Sequence, residues 1–148
     1  MLQVGDKVPD FQLENQDGET VRLGDVLAGG PSVFFFYPKD FTTICTQEVC
    51  GFRDAYADLT DVQVFGVSAD DVATHRRFKA TYALPYSLLA DTGRRVAGLF
   101  GATWPLGIGG RRATFVLDGN GIVVEAFRHE LSAQSHVESV RAALKRIR

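Results

Sequence analysis

Nearly continuous apolar runs alternate along the chain with stretches in which apolar residues recur at helical spacing. The run 32–37 reads Ser-Val-Phe-Phe-Phe-Tyr and ends at Pro38, a pattern typical of a strand covered on both faces of a sheet. From about Thr43 to Leu59 the apolar positions recur every three to five residues, which predicts a helix with one buried face. The chain therefore passes from a central strand, through a short loop, into a helix.

The rest of the chain continues this alternation. Turn residues at Asp17-Gly18 and at 118–121 predict two hairpins, formed by residues 11–13 with 20–22 and by residues 113–117 with 122–127. Between them we expect a strand over 62–68, a helix from Asp70-Asp71 to Tyr82, a strand over 87–90, a helix over 94–100 and a Gly- and Pro-rich loop over 101–110. A final amphipathic helix is expected from about Ser132 to Arg146, with an inward side formed by Val137, Val140, Ala143 and Leu144.

This order of elements predicts an α/β fold of the thioredoxin-like kind. Such a fold has a mixed central β-sheet flanked by helices on both faces. The length of 148 residues, without repeats or linker-like tracts, favours a single domain over residues 1–148.

Charge and hydropathy exclude several classes of function. The formal net charge is −2 and the basic residues are spread along the chain, so no nucleic-acid-binding surface is expected. No stretch approaches the roughly 18 to 20 apolar residues of a membrane helix. The first residues lack the basic segment and apolar run of a secretion signal. We therefore expect a cytoplasmic protein that binds neither nucleic acid nor membrane.

The chain has two cysteines, Cys45 and Cys50. A stable structural disulfide is not expected in the reducing cytoplasm, so the pair suggests redox or metal chemistry. The histidines at positions 75, 129 and 136 lack metal-ligand spacing with the cysteines. Neither a metal nor another cofactor is therefore expected.

Cys45 lies where a helix is expected to begin. If Thr42 is the N-cap, Cys45 occupies the third helical position, where unpaired backbone N–H groups and the helix dipole favour a thiolate. The thiolate is the nucleophile of thiol chemistry, and its attack on a peroxide yields a sulfenic acid. A second thiol can condense with that acid to a disulfide, and Cys50 is the only other thiol of the chain.

The spacing of the two cysteines sets a condition on that disulfide. Residues five apart on an α-helix have Cα atoms about 8 to 9 Å apart and point about 140° away from each other. A disulfide allows a Cα separation of at most about 7 Å. The hypothesis therefore requires the helix near residues 43–52 to unfold locally in every cycle.

The residues around Cys45 resemble a known family. Pro38, Thr42 and Cys45 match the Pro-x-x-x-Thr-x-x-Cys motif of peroxiredoxins, and the context Tyr-Pro-Lys-Asp-Phe-Thr-x-x-Cys-Thr-x-Glu resembles the bacterioferritin-comigratory or Q subgroup. Cys50 stands where that subgroup usually has its resolving cysteine. The likeness covers nearly the whole chain, including residues 65–70, 88–91 and 112–118.

The resemblance implies a role for each residue of the site. By this likeness the peroxide-reducing machinery consists of the nucleophile Cys45, the resolving Cys50, Pro38 shielding the thiolate, Thr42 hydrogen-bonding the peroxide, Arg112 stabilising the thiolate and the developing charge, and Glu48 orienting the arginine. A guanidinium suits such a site because it stays charged and offers several donors. The chain departs from the subgroup at Thr43-Ile44, where Pro-Gly is common, so a small change of helix entry is expected.

The resemblance also implies an activity and a partner. It points to reduction of hydrogen peroxide and organic hydroperoxides through an intramolecular disulfide, recycled by thioredoxin or a similar dithiol, in a monomer or weak homodimer. Two other functions stay open: a thioredoxin-like disulfide oxidoreductase, which would lack the usual Cys-x-x-Cys pair, and a redox sensor or holdase that uses the same disulfide as a switch. The apolar loop Trp104-Pro105-Leu106-Gly107 could pack on the site, line a pocket or contact another subunit.

Overall fold

The computed structural model describes residues 1–59, 62–103, 112–128 and 138–143. Its strands are β1 Gln12–Asn15, β2 Thr20–Arg22, β3 Ser32–Phe36, β4 Gln63–Ser68, β5 Ser87–Ala90, β6 Ala113–Leu117 and β7 Val123–Phe127. Its helices are α1 Leu23–Ala28, α2 Thr43–Ala55, α3 Val72–Tyr82 and α4 Arg95–Phe100, with a 3₁₀ turn over Tyr56–Asp58. Residues 138–143 are also helical. In these described ranges, no helix is long and apolar enough to cross a membrane.

The structure confirms most of the predicted elements, with ends that differ by a residue or two. The helix predicted over about 43–59 is wrong at its end, because the chain tightens after Ala55 into the 3₁₀ turn that buries Leu59. The sequence did not predict α1. Only residues 138–143 of the predicted final helix are described, and the loop Trp104-Pro105-Leu106-Gly107 lies outside the described residues.

The seven strands form one mixed sheet in the order β2-β1-β5-β4-β3-β6-β7. Strands β3, β4 and β5 are parallel neighbours, whereas all other pairs are antiparallel. The two faces carry separate hydrophobic cores. Val33 and Phe35 of β3 pack with α2, α3 and the segment 138–143, whereas Phe34 and Phe36 pack with α1 and α4. This arrangement confirms the thioredoxin-like fold with helices on both faces.

A glycine in the centre of the sheet determines how closely α2 can lie. Gly66 of β4 stands beside Phe35 of β3, and a Cβ atom added to it would lie 2.8 Å from Phe35 Cζ and 2.9 Å from Leu88 Cδ2. The space above Gly66 is thus filled by the Phe35 ring. That ring stacks on Phe52 of α2, with centroids 4.4 Å apart and planes 16° from parallel. Because Gly66 has no side chain, the Phe35 ring has room to lie there, and the helix that carries Cys45 packs on that ring.

The pairing of β3 with β6 brings distant parts of the chain to one end of the sheet. Phe36, the last residue of β3, pairs with Ala113, the first residue of β6, in an antiparallel ladder. Arg112 therefore lies where β3 ends and the loop to α2 begins. The strand register thus brings this arginine to the end of the sheet from which the chain runs on to α2.

Candidate active site

The start of α2 holds Cys45 as the sequence predicts. Thr42 is the N-cap, with an extended backbone (φ −82°, ψ 154°), and Thr43 begins the helix. Cys45 is therefore the third helical residue, in the turn whose backbone N–H groups lack intrahelical acceptors. Its side chain is only 2% exposed. The sulfur is thus a nearly buried group at the positive end of a helix.

Arg112 reaches this sulfur from the end of the neighbouring strand. Its Nη2 donates to Sγ of Cys45 at 3.2 Å, and its Nη1 donates to Oε2 of Glu48 at 2.8 Å. Glu48 lies three residues after Cys45 on α2, so both side chains lie on the side of the helix that meets Arg112. All three side chains are buried. The planar guanidinium fork makes both bonds at once.

The surroundings of Arg112 favour its charged form by raising its pKa. Burial lowers the pKa of Arg112, but the Glu48 carboxylate, followed by the Cys45 sulfur, raises this pKa by more, so that the net shift is upward. Because Glu48 is itself buried, removal of either partner would leave the other charge buried in poor solvation.

The loop before α2 carries the two other residues of the predicted motif. Pro38 is half-buried and Thr42 is exposed. The Thr42 hydroxyl makes no side-chain cap to the helix; it donates to the Lys39 carbonyl oxygen at 2.9 Å. Since that bond uses the hydroxyl proton, the Thr42 oxygen is left as an acceptor.

Cys50 lies further along α2, and both thiols are free. It is half-buried near Arg53 and Asp54. Burial raises the pKa of Cys50 above the ordinary value of 9.0, while the Arg53 guanidinium opposes this rise and the Asp54 carboxylate adds to it. In the intact helix Cys50 is therefore a neutral thiol, and the helical spacing keeps it out of reach of Cys45.

A second polar cluster, which the sequence reasoning missed, lies under the same loop. Asp40, Asp70 and His75 bring one carboxylate or imidazole atom each within 4.8 Å of one another. His75 was considered only as a metal ligand with the cysteines, and Asp40 only as part of the motif. Their separation of 35 residues in the chain hid the contact.

The fold and the site together define a thioredoxin-like protein with a buried cysteine–arginine site at the start of a helix. The chain belongs to the AhpC/TSA family, which it matches over residues 4–126. It is similar to peroxiredoxin Q, chloroplastic, of rice (Oryza sativa subsp. japonica), with 39% identity over 136 residues, covering 90% of this chain and 62% of the rice protein. The chain thus spans somewhat less than two thirds of the length of this curated relative.

Solved structures of related proteins agree in fold and length. Peroxidoxin BcpB from Mycobacterium tuberculosis is 35% identical, with a TM-score of 0.94 over 100% of this chain and 99% of that chain. The bacterioferritin comigratory protein of Xanthomonas campestris, studied for its alkyl peroxide reduction activity, is 30% identical, with a TM-score of 0.83 over 93% and 91% of the two chains. These comparisons confirm the family that the motif around Cys45 resembles.

Proposed function

We propose that this chain is a thiol peroxidase that reduces hydrogen peroxide and organic hydroperoxides at Cys45. The observation that carries the proposal is the buried Cys45 sulfur, held 3.2 Å from Nη2 of Arg112 at the start of a helix. A fixed guanidinium stabilises the thiolate before the reaction and the charge that moves to oxygen as the O–O bond breaks. The alkyl peroxide reduction activity of the Xanthomonas relative supports the substrate class.

In the first step the Cys45 thiolate attacks one peroxide oxygen. The S–O bond forms as the O–O bond breaks, the second oxygen leaves as water or an alcohol after taking a proton, and Cys45 becomes a sulfenic acid. The Thr42 oxygen accepts a hydrogen bond from the peroxide O–H, since the Thr42 hydroxyl itself donates to the Lys39 carbonyl oxygen. Glu48 holds Arg112 in place, and Pro38 shields the sulfur from water.

In the second step Cys50 attacks the sulfur of the sulfenic acid, water leaves, and a Cys45–Cys50 disulfide forms. Because the two cysteines lie five positions apart on the helix, α2 must open near residues 43–52 before the sulfurs can meet. A dithiol such as thioredoxin then reduces the disulfide by exchange. We expect this cycle to operate in the cytoplasm, in a monomer or weak homodimer, with no prosthetic group.

Three proteins treated with peroxide and a thioredoxin recycling system test the proposal: the wild type, Cys45→Ser and Cys50→Ser. Peroxide loss and free thiols are followed together. We expect Cys45→Ser to abolish turnover, and Cys50→Ser to consume one equivalent of peroxide and stop as a sulfenic acid. Continued turnover by Cys45→Ser would show that the nucleophile is assigned wrongly.

The same assay, together with a measurement of insulin disulfide reduction, separates the two other candidate functions. A redox sensor or holdase would consume about one equivalent of peroxide per chain even with the recycling system present. A disulfide oxidoreductase would instead reduce protein disulfides, for which the 2% exposure of Cys45 leaves little access. Repeated turnover of peroxide without reduction of insulin disulfides therefore distinguishes the peroxidase.

A further inference from the structure

A network of buried polar side chains lies beneath the loop that joins β3 to α2. Oδ2 of Asp40 lies 2.6 Å from Nδ1 of His75 on α3, and the Tyr37 hydroxyl donates to Oδ1 of Asp40 at 2.5 Å. Asp40 is 3% exposed and His75 is 0% exposed. Ionisable groups are costly to bury unless they are paired. The chemistry proposed for Cys45 uses neither of these two residues, so their burial requires another explanation.

The hydrogen bonds show how this pair is kept neutral. Nε2 of His75 lies 3.0 Å from the carbonyl oxygen of Leu89, and because a carbonyl can only accept, Nε2 carries a proton. The contact of 2.6 Å between Nδ1 of His75 and Oδ2 of Asp40 then requires a second proton, which the two groups share. Whether written as imidazolium with carboxylate or as imidazole with carboxylic acid, the pair has no net charge.

Asp40 also determines the path of the loop. Its backbone N–H donates to Oδ2 of Asp70 at 2.8 Å, while its side chain turns inward to His75. The next residue, Phe41, has a φ of 67°, a left-handed conformation that is strained for a bulky side chain. Phe41 is 47% exposed, so burial of its own ring accounts for only part of this conformation. Its ring contacts Phe78 of α3, with centroids 4.8 Å apart, and its backbone lies between the anchored Asp40 and the helix start at Thr42.

We propose that Asp40 and His75 are positioning residues for the reaction at Cys45. Their hydrogen bond holds Phe41 in its left-handed conformation, and that conformation sets where Thr42 stands relative to the Cys45 sulfur. The inference rests on the proposed function, because it assigns the pair to the placement of peroxide. Loss of the bond therefore slows the reaction with peroxide, while the reactivity of the thiolate toward other electrophiles is retained through Arg112.

A matched pair of variants isolates this hydrogen bond. In Asp40→Asn the amide group can donate to Nδ1 of His75 and accept from Tyr37, so the loop stays anchored. In Asp40→Asn/His75→Phe an aromatic ring still fills the space of the imidazole and no charge is buried, but the bond is lost. Asp40→Ala removes the same bond and keeps the inference testable if the double variant does not fold.

Gln63→Ala serves as the control for a general loss of packing. The Gln63 side chain donates to the Val26 carbonyl oxygen at 2.7 Å. Gln63 pairs with Ser32, the first residue of β3, so it lies at the opposite end of that strand from the loop. All variants are made in a Cys50→Ser background, in which Cys45 is the only thiol.

Two rates are measured at a temperature at which circular dichroism shows each variant folded: oxidation of Cys45 by hydrogen peroxide and alkylation of Cys45 by iodoacetamide. We expect Asp40→Asn/His75→Phe to lose about 10- to 100-fold in the peroxide rate constant relative to Asp40→Asn. Its alkylation rate, and the peroxide rate of Gln63→Ala, are expected to stay unchanged.

A double variant that reacts with peroxide as fast as Asp40→Asn would overturn the inference. Equal slowing of oxidation and alkylation would overturn it too, because that result indicates a purely structural role. If peroxide does not oxidise Cys45 in the Cys50→Ser protein, in which Asp40 and His75 are intact, the proposed function fails instead. The two failures are therefore distinguishable.

Discussion

Among single residues, Arg112 connects the two other buried side chains of the site, because its guanidinium makes two different bonds. One nitrogen donates to the Cys45 sulfur and the other to the buried Glu48 carboxylate. The carboxylate limits the positions that the guanidinium can take, so the donor to sulfur is already oriented before peroxide arrives. Donors that are fixed in advance stabilise developing charge without a reorganisation cost.

Replacing Arg112 by lysine tests whether this geometry matters beyond the charge. Arg112→Lys retains a cation but replaces the planar fork with one compact ammonium group. We expect the second-order rate constant of Cys45 oxidation, measured in a single turnover, to fall by about 100-fold. Arg22→Lys, at an exposed position of the edge strand β2, is the matched control and should react as the wild type does. A wild-type rate in Arg112→Lys would show that charge alone is sufficient.

The ionisation of Cys50 predicts the pH dependence of disulfide formation. Because burial raises the pKa of Cys50 in the intact helix, the closed helix is favoured while this thiol is neutral, and that preference is lost as pH rises through the raised pKa. The thiolate is also the attacking form. The rate of disulfide formation after one equivalent of peroxide should therefore increase between about pH 7 and 10. Thiol titration in quenched samples measures it, and a rate independent of pH would contradict the expectation.

Among the elements, the proposed cycle requires α2 to be ordered enough to present Cys45 and weak enough to open. Near its C-terminal end, Nη1 of Arg53 donates to the Tyr82 carbonyl oxygen of α3 at 2.9 Å. In its middle, the buried Tyr86 hydroxyl donates to the Val49 carbonyl oxygen at 2.5 Å. Opening near residues 43–52 must break the Tyr86 bond, whereas the bond at Arg53 lies beyond that segment. The Tyr86 bond therefore contributes to the cost of opening.

Removal of the Tyr86 hydroxyl should make the disulfide form faster. Tyr86→Phe keeps the ring against Phe35 but loses a bond worth about 1 kcal/mol in the closed helix. The equilibrium constant for opening of α2 should therefore increase about fivefold. We expect the rate of disulfide formation to rise by about that factor, with the initial oxidation of Cys45 unchanged. Stopped-flow oxidation followed by thiol quenching separates the two steps.

Tyr56→Phe is the control for this prediction, because it removes a hydroxyl in the 3₁₀ turn, outside the segment that opens. It should leave both steps unchanged. If Tyr86→Phe formed the disulfide at the wild-type rate, the bond to Val49 would not limit the opening of α2.

For the whole molecule, the site depends on how closely the sheet and α2 can approach. The Phe35 ring occupies the space that a side chain at position 66 would need, and it stacks on Phe52 of α2. The interior is close-packed, so an added methyl group at Gly66 must displace Phe35 or Leu88. The sheet centre and the helix that carries Cys45 therefore form one packing unit.

The substitution Gly66→Ala tests this close packing. We expect it to lower the free energy of unfolding by about 1 to 3 kcal/mol, and the melting temperature by about 3 to 10 °C, because the new Cβ atom overpacks the core. Gly98→Ala is the control, since a Cβ atom at that position of α4 meets nothing within 4 Å. Its melting temperature should stay the same or rise, as alanine favours a helix over glycine. Equal melting temperatures for both variants would show that Phe35 yields without cost.

Local patterns in the sequence determined most of the elements and the setting of Cys45. The apolar run 32–37 indicated a strand buried on both faces, and every residue of β3 is buried. Thr42 was identified as the N-cap, which places Cys45 third in the helix. These features depend on a residue and its near neighbours, so periodicity and capping are sufficient to find them. The helix α1 was not predicted, because six residues with two buried side chains show too little periodicity.

Only the tertiary structure decided which side chains meet. Arg112 and Cys45 are 67 residues apart, and their contact depends on the register of β3 with β6; before the structure, the role of Arg112 rested on resemblance. The contact between Asp40 and His75 and the direction of the Thr42 hydroxyl had no sequence signal at all. Such contacts are set by strand register and by the packing of helices on the sheet. Both properties belong to the whole chain rather than to any local segment.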